Sequence, residues 1–266
     1  MSTTQYYPTD LTEEQWTLLV TLLPARKWQP GGPGRPPCDL RQVLNGLLYL
    51  LKTGCQWRML PQEFGKWNTI YRYFKRWRET GVWAKLMEAL RQRERQRQGR
   101  QAEPSAGSVD SQSIKTTTQA TEVGFDGGKL VKGRKRHLLV DTLGLLIAVV
   151  VTAANTDDRV GLLVLLTQYF VGGVKRLRKL WVDGGYQAEW LAQWVRALKP
   201  THKIDLEVTG NAGKGFRVVP WRWAVERTFA WLLNDRRHSQ DYERLTTNSE
   251  AMIQLSIIRL LLNRLA

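Results

Sequence analysis

Apolar side chains recur every three or four positions through the first hundred residues, which predicts helices there. The first apolar pattern covers residues 11–23, and Asp10 or Thr12 can cap its helix. The second covers residues 40–53, which are apolar nearly all round. The second of these helices should therefore be buried. Between the two, the Gly- and Pro-rich run at 31–37 can be neither helix nor central strand, so we expect a loop.

A third helical segment, residues 66–79, combines two kinds of side chain. Aromatic and aliphatic residues recur at helical spacing on one side, and the other sides carry the basic residues Lys66, Arg72, Lys75, Arg76 and Arg78. This helix follows an earlier helix and a turn. That order is typical of a helix-turn-helix region whose last helix contacts DNA. The alternative is a core helix with a solvated basic face.

Beyond residue 100 the pattern changes to alternating strands and helices. The order is a strand, a hairpin turning at Leu143-Gly144, a helix, a strand, a helix, a strand and a long helix from Trp221. This order predicts an α/β domain with a mixed sheet covered by helices on both faces. We therefore divide the chain into a helical region at 1–98, a linker at 99–108 and an α/β domain at 109–266.

Composition narrows the possible partners. The 266 residues include 40 Lys and Arg against 24 Asp and Glu, a formal net charge of +16, which favours nucleic acid ahead of an anionic membrane. The apolar run from Leu143 to Ala154 is too short to span a bilayer, so we expect no membrane association. With only two cysteines, a reducing cytoplasm is the simplest compartment. The 12 tryptophans are expected mainly in the core.

Three acidic residues are candidates for chemistry. Asp110 lies in a strand among small residues, Asp183 ends an apolar strand before Gly-Gly, and Glu226 lies on an apolar helix. Carboxylates at the ends of non-neighbouring strands and on the closing helix would meet at one sheet edge. Oxygen donors without His or Cys suit Mg²⁺ or Mn²⁺, and two such ions support in-line displacement at a phosphodiester. Taken singly, each residue could instead be a turn, a cap or half of a surface ion pair.

Several motifs together resemble the DDE transposases of bacterial insertion sequences. They are LTEEQW, GRPP, TGCQWRMLP and WNTIYRYFKRW in the first part, and VDSQSIK, KGRKRHLLVDTLG, WVDGGY and WAVERTFAW in the second. The resemblance implies a ribonuclease-H-like catalytic fold. It also implies a triad of Asp110, Asp183 and Glu226 that holds two Mg²⁺ ions, which Mn²⁺ could replace. Related enzymes carry a Tyr, Arg, Glu and Lys signature; here Arg222 matches the Arg, but Val219 stands in place of the Tyr.

The same resemblance implies an activity and partners. We expect a DNA transposase that binds the terminal inverted repeats of its element, cleaves the ends and joins the 3′ ends to target DNA, acting on the bacterial nucleoid as a homodimer or larger synaptic complex. The basic residues expected near phosphates in the second part are Lys132, Arg134, Lys135, Arg136, Arg222, Arg236 and Arg237. The role of His137 stays open. The alternatives are a catalytically silent DNA-binding regulator and a structure-selective nuclease of the same fold.

Overall fold

The computed structural model describes residues 7–25, 38–171, 176–198, 204–209 and 220–266. Its helices are α1 (Glu13–Val20), α2 (Leu40–Thr53), α3 (Trp67–Glu79), α4 (Val82–Arg97), α5 (Asp158–Phe170), α6 (Glu189–Ala197), α7 (Pro220–Leu233) and α8 (Thr246–Leu265). Its strands are β1 (Ala106–Lys115), β2 (Gly124–Asp126), β3 (Val131–Asp141), β4 (Leu146–Ala153), β5 (Lys179–Val182) and β6 (Asp205–Val208). Short 3₁₀ helices lie at Trp57–Met59, Gln62–Phe64, Gly184–Tyr186 and Arg236–His238.

The strands form one mixed sheet with β1 at its centre. Strand β3 lies antiparallel to β1, with Gly107 opposite Asp141, and its other side pairs with β4 and, at its beginning, with β2. On the opposite side of β1, β5 runs parallel with Ser108 opposite Trp181, and β6 runs parallel to β5. This sheet confirms the predicted α/β class and the ribonuclease-H-like arrangement.

Helices cover both faces of the sheet and create two hydrophobic cores. Because side chains alternate along a strand, Leu138 and Val140 of β3 face one core and Leu139 faces the other. The first core also contains apolar residues of α1 to α4, α7 and α8, whereas the second contains those of α5 and α6. The helical first part of the chain therefore shares its core with the last helix and with one face of the sheet.

A turn between β3 and β4 connects the two parts of the chain. The carboxylate of Asp141 accepts hydrogen bonds from the backbone N–H groups of Leu143 (2.9 Å) and Leu145 (2.8 Å), and it pairs with Arg95 of α4. From the other side, Thr228 of α7 donates to the carbonyl oxygen of the turn glycine at 2.7 Å. One buried turn thus orients both α4 and α7.

Most elements agree with the sequence pattern, with identifiable exceptions. The predicted helices α1, α2, α3, α5, α6 and α7 and the β3–β4 hairpin are confirmed. The sequence pattern did not reveal β2 or the 20-residue α8. Strand β1 begins at Ala106, within the stretch predicted as a linker, and the predicted loop at 31–37 lies outside the described residues. No described helix is both long enough and apolar enough to cross a membrane.

The shared core predicts that the helical part and the sheet unfold together. Leu90 of α4 is completely buried in this core, so Leu90→Ala should lower the free energy of unfolding by about 2–5 kcal/mol. Urea unfolding followed by circular dichroism measures the change. Lys85→Ala, an exposed change in the same helix, is the control and should stay within about 0.5 kcal/mol. Two separate transitions, with only one displaced, would contradict the shared core.

Candidate active site

The first candidate carboxylate, Asp110, lies in the middle of the central strand beneath the beginning of α7. Ser108, two residues earlier on the same strand face, donates its hydroxyl to the carbonyl oxygen of Trp221 at 2.5 Å. The indole of Trp221 stacks on Trp181 of β5, with ring centroids 4.8 Å apart and an angle of 10° between the planes. These contacts hold the first turn of α7 over β1 and β5, beside Asp110.

The second candidate, Asp183, follows the neighbouring strand. Ser108 lies opposite Trp181, and Asp110 and Asp183 each come two residues later in strands that run parallel. Both carboxylates therefore lie on the α7 side of the sheet, where β5 ends. Asp183 also accepts a hydrogen bond from the backbone N–H of Gly185 at 2.9 Å, which caps the following 3₁₀ helix. This aspartate is thus both a turn residue and a neighbour of Asp110.

The two carboxylates interact electrostatically. Burial, and then the negative charge of Asp183, raise the pKa of Asp110 from its ordinary 3.8 to about 6. A hydrogen bond from the backbone N–H of Ser111 (2.7 Å) and the nearby cations Lys129 and Arg222 act in the opposite direction on this pKa. The structure therefore brings two hard oxygen donors together and partly balances their charge with cations.

The third candidate, Glu226, lies apart from this pair. It is on the solvent side of α7, with 54% of its side chain exposed, and forms an ion pair of 3.8 Å with Arg222 one turn earlier. Within the described residues, no group of three or more His, Cys, Asp or Glu side chains is arranged to hold a metal ion. The assignment of Glu226 as the third ligand stays a prediction, and Val219, where the family signature has Tyr, lies outside the described residues.

The chemistry of the Asp110 and Asp183 pair fits a hard divalent cation. Two neighbouring carboxylates repel each other, and a cation between them would relieve that repulsion while accepting their oxygen atoms as ligands. Mg²⁺ and Mn²⁺ prefer such oxygen donors. The carboxylate of Glu226 is turned instead towards Arg222, at 3.8 Å.

Three arginines predicted to hold phosphates lie in the interior instead. Arg134 pairs with Asp241 at 3.2 Å, Arg237 pairs with Glu243 at 2.6 Å, and Arg136 donates to a backbone carbonyl at 3.3 Å. All three are nearly inaccessible to solvent, because Arg134 and Arg136 of β3 face the segment that leads into α8, and Arg237 lies within that segment. This position corrects the prediction that they contact DNA, and it gives them a structural role.

Lys135 is also buried, within a charged cluster on the opposite face of the sheet. Its ammonium group lies 3.0 Å from Asp158 and 3.7 Å from Asp126, and Asp158 accepts the hydroxyl of Ser111 at 2.7 Å. A polar cavity of about 350 Å³ opens beside this cluster and reaches Gly185. The contact between Asp158 and Ser111 joins residues 47 positions apart, so local sequence patterns do not reveal it.

His137 has a packing role in the same layer. Its ring is fully buried, its Nε2 lies 3.0 Å from the hydroxyl oxygen of Thr152, and burial lowers its pKa to about 4. Gly161 of α5 passes so close that a Cβ atom there would lie 2.1 Å from the ring. The imidazole is therefore neutral at physiological pH and fills the space under α5.

The remaining predicted basic residues lie at or near the surface. Lys66, Arg72, Lys75, Arg76, Lys132 and Arg236 are exposed, and Arg78 and Arg222 are partly exposed. On α3, the buried side consists of Ile70, Phe74 and Trp77, which leaves the basic side facing solvent. An open groove of about 440 Å³ follows this side and is lined by Thr69, Arg72, Tyr73, Lys75, Arg76 and Glu79.

Comparison with known families identifies the class to which this fold and site belong. Residues 101–261, more than half of the chain, match the family described as "Transposase DDE domain". The chain therefore belongs to the family of DDE transposases. Residues 11–87 match a second family, described as "Putative transposase of IS4/5 family".

Individual relatives agree with this assignment. The chain is 38% identical over 43% of its length to the "Insertion element IS402 uncharacterized 16.2 kDa protein" of Burkholderia cepacia, covering 78% of that protein. It is 30% identical over 46% of its length to the "Putative transposase for insertion sequence element IS402" of the same organism. The match spans 60% of that second relative. No solved structure matches the chain significantly.

The raised pKa of Asp110 predicts a pH-dependent gain in stability when its charge is removed. Above pH 6 the folded protein carries a buried carboxylate, so Asp110→Asn should raise the free energy of unfolding at pH 8 in the presence of EDTA. As pH falls through 6, the Asp110 carboxyl of the wild type becomes protonated in the folded state before it does so in the unfolded state. The difference in the free energy of unfolding between Asp110→Asn and wild type should therefore shrink. Urea unfolding at several pH values measures this trend.

The matched control for this prediction is Glu226→Gln. The carboxylate of Glu226 is half exposed, so neutralising it should change stability by less than about 0.5 kcal/mol at either pH. If Asp110→Asn were less stable than wild type at pH 8, Asp110 would instead be a stabilising carboxylate in the folded protein.

Proposed function

We propose that this protein is a DNA transposase that cleaves the ends of its own insertion sequence and joins them to target DNA. The observation that carries the proposal is the pair Asp110 and Asp183 on the α7 side of a ribonuclease-H-like sheet, in a chain of the DDE transposase family. The family model supports a transposase in general, and the electrostatic contact between the two carboxylates supports a site where phosphodiester chemistry could occur.

The proposed cofactor is a pair of Mg²⁺ ions, with Mn²⁺ as a substitute. Asp110 and Asp183 would supply the first ligands, and Glu226 would complete the set after leaving Arg222. When bound, such ions would activate the attacking hydroxyl and stabilise the leaving oxygen. The released Arg222 would then be free to donate hydrogen bonds to the phosphate at the cleavage site.

The reaction proceeds by two displacements at phosphorus. In the first, water adds to the phosphodiester at the end of the element, the bond to the 3′ oxygen breaks, and that oxygen takes up a proton. In the second, the freed 3′-hydroxyl gives its proton to solvent and its oxygen bonds to a phosphorus of target DNA, while the bond from that phosphorus to the target's own 3′ oxygen breaks and that oxygen takes up a proton. Neither step requires a covalent bond to the protein, and both use the same carboxylates.

Recognition of the element's inverted repeats is proposed for α3. The apolar side of α3 packs in the core, and its basic side faces solvent. The cationic residues therefore have a fixed position relative to the core. This geometry suits a helix entering the major groove of DNA. Because two ends have to be processed together, the active form on DNA would be a dimer or larger assembly in the bacterial cytoplasm.

A second candidate function is a catalytically silent DNA-binding regulator. The ion pair between Glu226 and Arg222 favours it, since the three acids do not form a group in the described residues. The cleavage experiment below separates the two functions.

Replacing the third acid should abolish cleavage and preserve DNA binding. Glu226→Gln keeps the size of the side chain and removes its charge, so Mg²⁺- or Mn²⁺-dependent nicking of duplexes carrying the element's ends should fall at least about 100-fold. Gel shift should give an unchanged affinity for the same duplexes. Glu189→Gln on α6, another exposed glutamate, should retain activity.

If wild type bound the end DNA but cut nothing with either metal, the regulator would be the better assignment. If it cut branched or hybrid substrates without joining any 3′ end to a target, a nuclease of the same fold would be favoured.

The exposed side of α3 should determine which DNA is bound. Arg72→Gln should weaken binding to the element's end by about tenfold, with a smaller effect on a random duplex of equal length. Fluorescence anisotropy measures both affinities. Lys85→Gln removes one exposed positive charge from α4 and serves as the control. An equal loss for both duplexes would mean that Arg72 contacts only the phosphate backbone.

A further inference from the structure

Several tryptophans that were expected in the core lie at the surface, and some of them belong to a cation–π stack on α7. Among the described tryptophans, only Trp77 and Trp83 are buried. Trp223 and Trp231 lie two turns apart on α7, and the guanidinium of Arg227 between them is 4.4 Å and 4.7 Å from their ring centroids. Arg264 of α8 also lies over the Trp231 ring, at 4.5 Å from its centroid. Indole and guanidinium groups therefore alternate across the two helices.

The positive charge of this stack has no carboxylate paired directly with it in the described part of the chain. Within the described part of the chain, neither Arg227 nor Arg264 has a carboxylate within 4.0 Å, although most other partly buried arginines do. Burial and the neighbouring charge of Arg264 lower the pKa of Arg227, and the carboxylate of Asp141 acts in the opposite direction from beyond ion-pair distance. Two like charges held together on a protein surface, with no carboxylate in an ion pair with either, favour an anionic partner.

The Nη groups, rather than the buried Nε, are the donors with which Arg227 can reach that partner. A guanidinium that packs its flat face on an indole keeps the N–H groups of its edge free. Arg227 uses one of these groups to donate to the carbonyl oxygen of Leu143 at 2.8 Å, which holds the stack against the β3–β4 turn. The Trp223 side chain, with 47% of its surface exposed, ends the stack at the solvent.

We propose that the stack of Trp223, Arg227, Trp231 and Arg264 binds the phosphate backbone of double-stranded DNA, and we call it the α7–α8 stack. This proposal rests on the proposed function. Along α7, the α7–α8 stack continues the cationic surface that begins at Arg222, beside the two aspartates. Eight residues separate Trp223 from Trp231, roughly 12 Å of helix. Measured along the DNA axis, this length corresponds to about three or four phosphates of one strand. The contact needs no particular base sequence.

Neutralising Arg264 tests this surface with the full-length chain and a 30-base-pair duplex of random sequence. Arg264→Gln should weaken binding about three- to tenfold at 0.1 M salt and lower the slope of log affinity against log salt by about 1. Arg264→Lys keeps the charge and should keep the salt slope. Arg196→Gln removes the same charge from an exposed position of α6, on the other face of the sheet, and should have a smaller effect on both quantities.

Trp223→Leu provides a second test that leaves the charge unchanged. It exposes one face of Arg227, so affinity should fall about two- to fivefold while the salt slope stays the same. Circular dichroism spectra that match wild type establish that each variant is folded.

Three outcomes would be informative against the proposal. Equal effects of Arg264→Gln and Arg196→Gln would overturn it, and metal-dependent cleavage of duplexes carrying the element's ends by wild type would leave the transposase function intact. A change in sedimentation without DNA, with unaltered DNA affinity, would overturn it in favour of an interface between two copies. If wild type itself bound no duplex, the proposed function would fail together with this inference.

Discussion

The pairing of the central strand on both of its edges is the constraint on which the rest of the structure depends. β1 is hydrogen-bonded to β3 along residues 107–115 and to β5 along residues 106–108, so its backbone has little freedom. Alternation along the strand then sends Ser108 and Asp110 towards α7 and Ser111 towards α5. Where β5 ends, Asp183 arrives beside Asp110, and two carboxylates become neighbours at a cost in electrostatic energy.

Helix α7 links this carboxylate pair to the rest of the molecule. Its first turn lies over β1 and β5 through Ser108, Trp181 and Trp221, and its later turns contact the β3–β4 turn. The same turn binds Arg95 of α4 through Asp141. A displacement of α7 that carried Glu226 towards the aspartates would therefore act on a turn that also supports the helical part of the chain.

Positive charge divides into an interior and an exterior set. Arg134, Arg136 and Arg237 lie where the sheet meets the segment before α8, and the carboxylates of Asp241 and Glu243 compensate two of them. Burying such charges is tolerable because acceptors surround them. The exposed basic residues of α3 and the α7–α8 stack belong to the exterior set, so they are the part of the net charge of +16 that a partner can reach. A count of basic residues in the sequence cannot distinguish these sets, because each depends on contacts between distant segments.

The sequence by itself determined the order of most helices and strands, the α/β class and the positions of Asp110 and Asp183, because hydrophobic periodicity and turn residues act locally. It did not reveal α8, whose residues are buried nearly all round, or the short β2. Only the tertiary structure decided which arginines are interior, which tryptophans are exposed, and that Glu226 pairs with Arg222. These outcomes depend on which faces of distant elements pack together, and local sequence patterns carry no information about that packing.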